Sequence, residues 1–240
     1  MRYLAMLLAA LALGTGIVYG QGTNVPAGNT AANNDSIASL PLLTVHSQDT
    51  TGDEFAIMLS GDGGWSRFDQ GVSESLAKRN IPVVGFNSLK YFWRRRTPEI
   101  TADDVAKIMR YYLFAWHKQR IILAGFSFGA DVLSFVASRL PEDLRQRVSL
   151  VAMIAPSHNA DFEFHVTYWM HIAGKTRWLV LPEVEKLKGM NVLAICEEND
   201  PDALCSDLPA DAAKMIVLKG GHHFDRDYET IVQKMMDAMR

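Results

Sequence analysis

Apolar residues along this chain fall into two alternating patterns. Strand-like runs, most of them continuous apolar blocks, cover 43–45, 55–59, 81–86, 121–125, 148–154, 192–196 and 215–218. Short blocks of this kind, bounded by polar or glycine-rich turns, suit strands buried on both faces of a parallel sheet. Between them, 71–78, 102–116, 130–139 and 228–239 carry apolar residues at helical spacing. In the second of these, Val105, Ile108, Met109, Tyr112 and Leu113 share one face. Strand–helix alternation predicts an α/β domain: a mostly parallel central sheet flanked by helices. No internal repeat is present. The rhythm breaks between 155 and 182, where Phe162, Phe164, Val166 and Tyr168 alternate with Asp161, Glu163, His165 and Thr167. That alternation predicts an extended piece within an insertion over one end of the sheet.

The start of the chain has a different character. Arg2 precedes an apolar run over 3–13, and Val18-Tyr19-Gly20 offers small residues at the −3 and −1 positions of a cleavage site. This order is that of a secretory signal peptide over 1–20. Gly14 and Gly16 interrupt the run, which falls short of the ~20 apolar residues of a spanning helix. Residues 21–40, rich in Asn, Thr, Gly and Ala, read as a flexible tether, leaving 41–240 as one folded domain. The expected compartment is the periplasm. Its oxidising chemistry favours a disulfide between Cys196 and Cys205 over two free thiols. The formal net charge of −3 gives no basic excess of the kind nucleic-acid binding needs.

Chemistry concentrates where predicted strands end. The strand over 121–125 runs into Gly125-Phe126-Ser127-Phe128-Gly129, and a helical pattern follows at once. A serine at so tight a strand-to-helix turn projects its hydroxyl into open space, and flanking glycines remove Cβ clashes. Ser127 is therefore the expected nucleophile. The backbone N–H of Phe128, at the helix start, is the expected oxyanion donor. A second donor is expected from Asp62 or Gly63, in the glycine-rich loop after the strand over 55–59. That loop lacks the Lys-Ser/Thr ending of a phosphate-cradling P-loop. In hydrolases with this elbow the acid and base follow the serine in chain order. The acid is expected in Glu197-Glu198-Asn199-Asp200-Pro201-Asp202, with Asp200 placed first and Asp202 second. The base is expected at His222, with His223 second, just past the last strand. The remaining histidines show no ligand spacing with Cys or carboxylates, so neither a metal nor a cofactor is expected.

The run Tyr91-Phe92-Trp93-Arg94-Arg95-Arg96 follows the strand over 81–86. Aromatic rings beside arginines suit a bilayer interface, with rings at headgroup level and guanidiniums on phosphates. The segments LSGDGGW (59–65), YFWRRRTPE (91–99), GFSFGAD (125–131), CEENDPDALC (196–205) and GGHHFDRDY (220–228) together resemble the bacterial VirJ virulence family, which includes the VirJ-like part of AcvB. The resemblance spans roughly 43–240. It implies an exported protein with the α/β-hydrolase fold, with Ser127, Asp200 or Asp202, and His222 or His223 as its site. It also implies two functions to weigh. One is an esterase acting on lysyl-phosphatidylglycerol, an aminoacylated phospholipid at the membrane surface. The other is a binding protein associated with type IV secretion on a hydrolase scaffold. In the first, Glu197, Glu198 and Asp202 would meet the lysyl cation, and Arg94, Arg95 and Arg96 the phosphate.

Overall fold

The computed structural model describes residues 37–163, 178–198 and 203–240. The expected signal segment over 1–20, most of the tether, residues 164–168 of the extended piece, Asp200 and Asp202 lie outside the described residues. The chain enters its core earlier than position 41, because Ile37 is buried there.

In chain order the elements begin with strands β1 (Leu42–Val45) and β2 (Glu54–Leu59), helix α1 (Arg67–Ala77) and strand β3 (Val83–Phe86). A short helix α2 (Ser88–Tyr91) and the long α3 (Pro98–Ala115) precede β4 (Arg120–Phe126). Then come α4 (Phe128–Ser138), α5 (Glu142–Arg145), β5 (Val148–Ile154), β6 (Asn159–Ala160), β7 (Trp178–Leu179) and α6 (Leu181–Glu185). The chain finishes with β8 (Val192–Glu197), β9 (Lys214–Leu218) and α7 (Tyr228–Ala238). Each of the apolar blocks forms a strand of one sheet, ordered β1-β3-β2-β4-β5-β8-β9. Only β1 runs antiparallel to its neighbour.

Side chains alternate across this sheet, so each central strand feeds two cores. From β2, Phe55, Ile57 and Leu59 join Val105, Ile108 and Met109 of α3 and Leu133 and Phe135 of α4. On the opposite face Ala56 and Met58 meet Phe68, Val72 and Leu76 of α1 and Ile231, Val232 and Met235 of α7. Two covered faces explain why the strand blocks are continuous rather than alternating. Helix entries lie upstream of the apolar periodicity because capping groups set them. Ser66 caps α1 in a reciprocal box with Asp69, whose carboxylate accepts from the Ser66 N–H at 2.8 Å and its hydroxyl at 2.7 Å. Thr97 caps α3 through its hydroxyl at 3.2 Å from Ile100 N, with Pro98 in the first turn.

The insertion is anchored by an antiparallel ladder in which Asn159 faces Leu179 and Ala160 faces Trp178. Phe162 packs edge-on against Phe92, Phe135 and Trp178. Past β8, Cys196 and Cys205 form a disulfide with Cα atoms 6.1 Å apart. It closes a loop of sequence separation 9 that begins beside Glu197. A closure of this length stabilises a fold by about 2–3 kcal/mol through the unfolded chain. The double variant Cys196→Ala/Cys205→Ala is expected to lose that amount in urea unfolding of the purified protein. A loss below about 0.5 kcal/mol would show that the bridge adds nothing to the fold.

Candidate active site

Six parallel strands deliver their C-terminal ends to one edge of the sheet, and the chemistry lies there. β4 ends at Phe126, and α4 begins at Phe128. Ser127 between them adopts φ 52° and ψ −122°, a conformation that L-residues rarely hold. Its N–H donates to the Ile154 carbonyl of β5 at 2.8 Å, and its carbonyl accepts from Ala130 N at 2.8 Å. The flanking glycines make this possible. A Cβ at Gly125 would stand 2.4 Å from the Gly129 carbonyl oxygen, and one at Gly129 would stand 2.3 Å from that of Leu59. The turn therefore presses directly on the end of β2.

His222 lies on a 3₁₀ turn (Gly221–Arg226) just past β9. Its Nε2 is 2.9 Å from Ser127 Oγ. Its Nδ1 is 2.8 Å from Glu197 Oε1. Glu197 is the last residue of β8, paired in register with Leu218, and its side chain is buried. With Nδ1–H donating to the carboxylate, Nε2 is left to accept the serine proton. The sequence reading gave the acid to Asp200 or Asp202 and a substrate-binding role to Glu197. The carboxylate brought to His222 among the described residues is Glu197. β8 carries on one residue past its apolar block, so its final side chain reaches the imidazole.

His223 points elsewhere, edge-on to Phe68 and tilted against Phe126. Burial, then the adjacent His222 and Arg226, hold it below the usual imidazole value. The loop after β2 is pinned beside the elbow. Ser60 N–H donates to the Phe86 carbonyl at 3.0 Å, and its hydroxyl accepts from Ser88 N at 3.0 Å. Asp62 and Gly63 are exposed on this loop. Phe128 follows Ser127 at the start of α4, where the first helix N–H groups are free of intrahelical partners.

The aromatic–basic run divides. Tyr91 and Phe92 are buried, Phe92 edge-on to Phe128, whereas Trp93 is 64% exposed. The ring array expected at an interface is thus a single tryptophan, because the core of the neighbouring helices claims the other two. Arg94 and Arg95 are exposed, and Arg95 stands 3.9 Å from Glu163. Arg94 and Arg96 line a cavity whose walls include neither Ser127 nor His222. Glu198 is exposed and donates its N–H to the Leu218 carbonyl.

One carboxylate escaped the sequence reading. Asp131, one helical turn beyond Ser127, is buried and accepts from Ser157 N at 2.6 Å and Ser157 Oγ at 2.8 Å. Its i+4 spacing from Ser127 was the available signal. Burial pushes it up to about 7, against the pull of Ser157 and His222, while Asp62 adds to the rise.

A parallel sheet of this order, with helices on both faces and a serine–histidine–carboxylate chain at its C-terminal edge, is the α/β-hydrolase fold. Residues 53–240 match the bacterial virulence protein VirJ family, and the chain belongs to that family. No functionally curated protein matches it significantly. Among solved structures it is similar to Est1E from Butyrivibrio proteoclasticus, with a TM-score of 0.59 and 13% identity over 82% of this chain and 93% of that one. It is also similar to a lipase-esterase related protein from Clostridium acetobutylicum, with a TM-score of 0.55 and 14% identity over 82% and 98%. The esterase domain of a Rhodothermus marinus protein gives 0.56 and 14% over 83% and 91%. At such identities the likeness is one of fold.

The position of Asp131 carries a consequence for stability. A carboxyl whose folded value is raised holds a proton that the unfolded chain releases, so stability falls as pH rises from 3.8 to about 7 and then levels. One proton contributes at most about 1.4 kcal/mol per pH unit in that window. Asp131→Asn, which keeps an acceptor for Ser157 N–H, is expected to flatten this slope in denaturant titrations between about pH 4.5 and 8. An unchanged slope would mean that Asp131 is ionised throughout.

Proposed function

We propose that this protein is a serine esterase in which Ser127, His222 and Glu197 form the catalytic triad. The observation that carries the reading is the pair of contacts at 2.9 Å and 2.8 Å that runs from Ser127 Oγ through the imidazole to Glu197. Ser127 Oγ attacks the ester carbonyl while His222 Nε2 takes its proton. Glu197 holds the ring in the tautomer that accepts that proton and stabilises the imidazolium that results. Backbone N–H groups of Phe128 and of Asp62 or Gly63 bind the oxyanion. As the tetrahedral intermediate collapses, His222 gives the proton to the departing alkoxide, and the acyl group stays on Ser127. Water, deprotonated by His222, then attacks the acyl-enzyme. The acid is released and the serine regenerated.

The family resemblance supports lysyl-phosphatidylglycerol as substrate, cleaved between lysine and glycerol, with the exposed Asp62 and Glu198 as carboxylates that would meet its lysyl cation. The disulfide supports export to an oxidising compartment, in line with the leader-like first residues, and the periplasm fits both. The family's description as a virulence protein favours a second reading, a secretion-associated binder that retains the scaffold. A binder has no need of an aligned serine, histidine and carboxylate.

Kinetics on a short-chain ester separate these readings and the two carboxylate assignments. Ser127→Ala should remove turnover, and Glu197→Gln should lower kcat by about 10³–10⁴, with melting temperatures near wild type. Asp200→Asn and Asp202→Asn should stay within about threefold of wild type. Wild-type turnover in a folded Ser127→Ala protein would leave the binder. A large loss in Asp200→Asn with none in Glu197→Gln would return the acid to the loop.

A further inference from the structure

Beside α2 lies a concavity whose lining includes neither Ser127 nor His222. Leu89 packs over the glycine loop on one side, where a Cβ at Gly64 would stand 3.3 Å from its own Cβ. On its other side a cavity of about 860 Å³ opens. Its lining carries Lys90, Arg94, Arg96 and Lys107 against one carboxylate, Asp104. In a chain whose formal net charge is −3, this is a local excess of three positive charges.

Asp104 does little to neutralise that excess. Its two oxygens are engaged by Lys107 Nζ and the Tyr91 hydroxyl, each at 2.7 Å. Among the described residues, Lys90, Arg94 and Arg96 have no carboxylate partner. The Arg96 guanidinium lies 4.6 Å over the Tyr91 ring, which fixes its plane. Its Nε is buried and makes no hydrogen bond. With Nε out of reach of solvent, an anion in the cavity would be met by the terminal nitrogens of the Arg96 guanidinium. A planar guanidinium beside compact ammonium groups matches a tetrahedral oxyanion that accepts several donors at once. The volume exceeds what a bare oxyanion fills and suits a molecule of headgroup size. Trp93 also lines this cavity and is 64% exposed.

We propose that this cavity binds a phosphate ester, through Arg96, Arg94 and Lys90, at a site separate from the catalytic serine. The proposal does not rest on the esterase reading, since none of its residues touches Ser127, His222 or Glu197. The phosphate can come from a soluble ester or from a phospholipid headgroup, and the two are separable.

The test uses the exported chain in a Ser127→Ala background, so that no turnover complicates binding. Titration calorimetry with inorganic phosphate and glycerophosphoglycerol reports the soluble sources. Co-sedimentation with phosphatidylglycerol vesicles, against phosphatidylcholine vesicles, reports the lipid source. Saturable binding to at least one probe is expected. Lys90→Gln/Arg96→Gln should weaken it by about tenfold or more, and Arg95→Gln, outside the cavity, by less than about twofold. Arg96→Lys keeps the charge but loses the planar fork, and should fall between them while retaining the wild-type melting temperature. Binding of glycerophosphoglycerol would identify a soluble ester. Binding of phosphatidylglycerol vesicles alone would identify a headgroup at the membrane. Binding of inorganic phosphate alone, lost in the double variant, would place the phosphate group itself in the cavity. Absence of saturable binding to every probe, or equal binding by the double variant, would overturn the proposal.

Discussion

Ser127 holds its left-handed backbone because two neighbouring positions carry no Cβ, and the rest of the site is arranged around that turn. A methyl group at Gly125 or Gly129 would drive into a carbonyl oxygen at 2.4 or 2.3 Å. Those carbonyls belong to α4 and to the end of β2, so the clash could be relieved only by parting helix from sheet. A strained φ/ψ of this kind costs about 1–3 kcal/mol. It persists because β4 is buried on both faces and bonded into β2 and β5, which leaves the turn no other path. The result is a hydroxyl raised off the sheet with the first N–H groups of a helix behind it.

Parallel strands then bring the partners to it. β8 and β9 end side by side, with Glu197 opposite Leu218, and His222 follows four residues after Leu218. The imidazole crosses from that edge to Ser127, and Glu197 supports it from below. The disulfide from Cys196 anchors the chain beside Glu197, so the same loop closure that stabilises the fold also holds the carboxylate.

Much of this was legible in the residues. Every apolar block became a strand and every periodic stretch a helix, because burial on both sheet faces leaves a strong mark on composition. The meeting of Ser127 with His222 was legible because a glycine-flanked turn and a glycine-led histidine pair sit directly after apolar blocks. The contact of Glu197 with His222 was not. Glu197 reads as the first polar residue after a strand, and only the register of β8 against β9 reveals that it is the last residue within it. Pairing register is a tertiary property that the local pattern does not carry. Helix starts were placed late for a related reason: Ser66 with Asp69, and Thr97 with Pro98, act through hydrogen bonds and fixed φ rather than apolar spacing. Asp131 was hidden because a polar residue on an amphipathic helix looks solvated until Ser157 is seen to cover it.

The cations beside α2 are diluted in the overall composition and are visible only in space. The central claim concerns the turn after β4, the proposal that Ser127 is an activated nucleophile. Its most direct test is reaction with a fluorophosphonate probe followed by peptide mass spectrometry. The wild-type protein should gain one adduct, located on Ser127, and Glu197→Gln should label far more slowly at the same residue. Absence of an adduct on the folded wild-type protein, or an adduct on another residue, would contradict it.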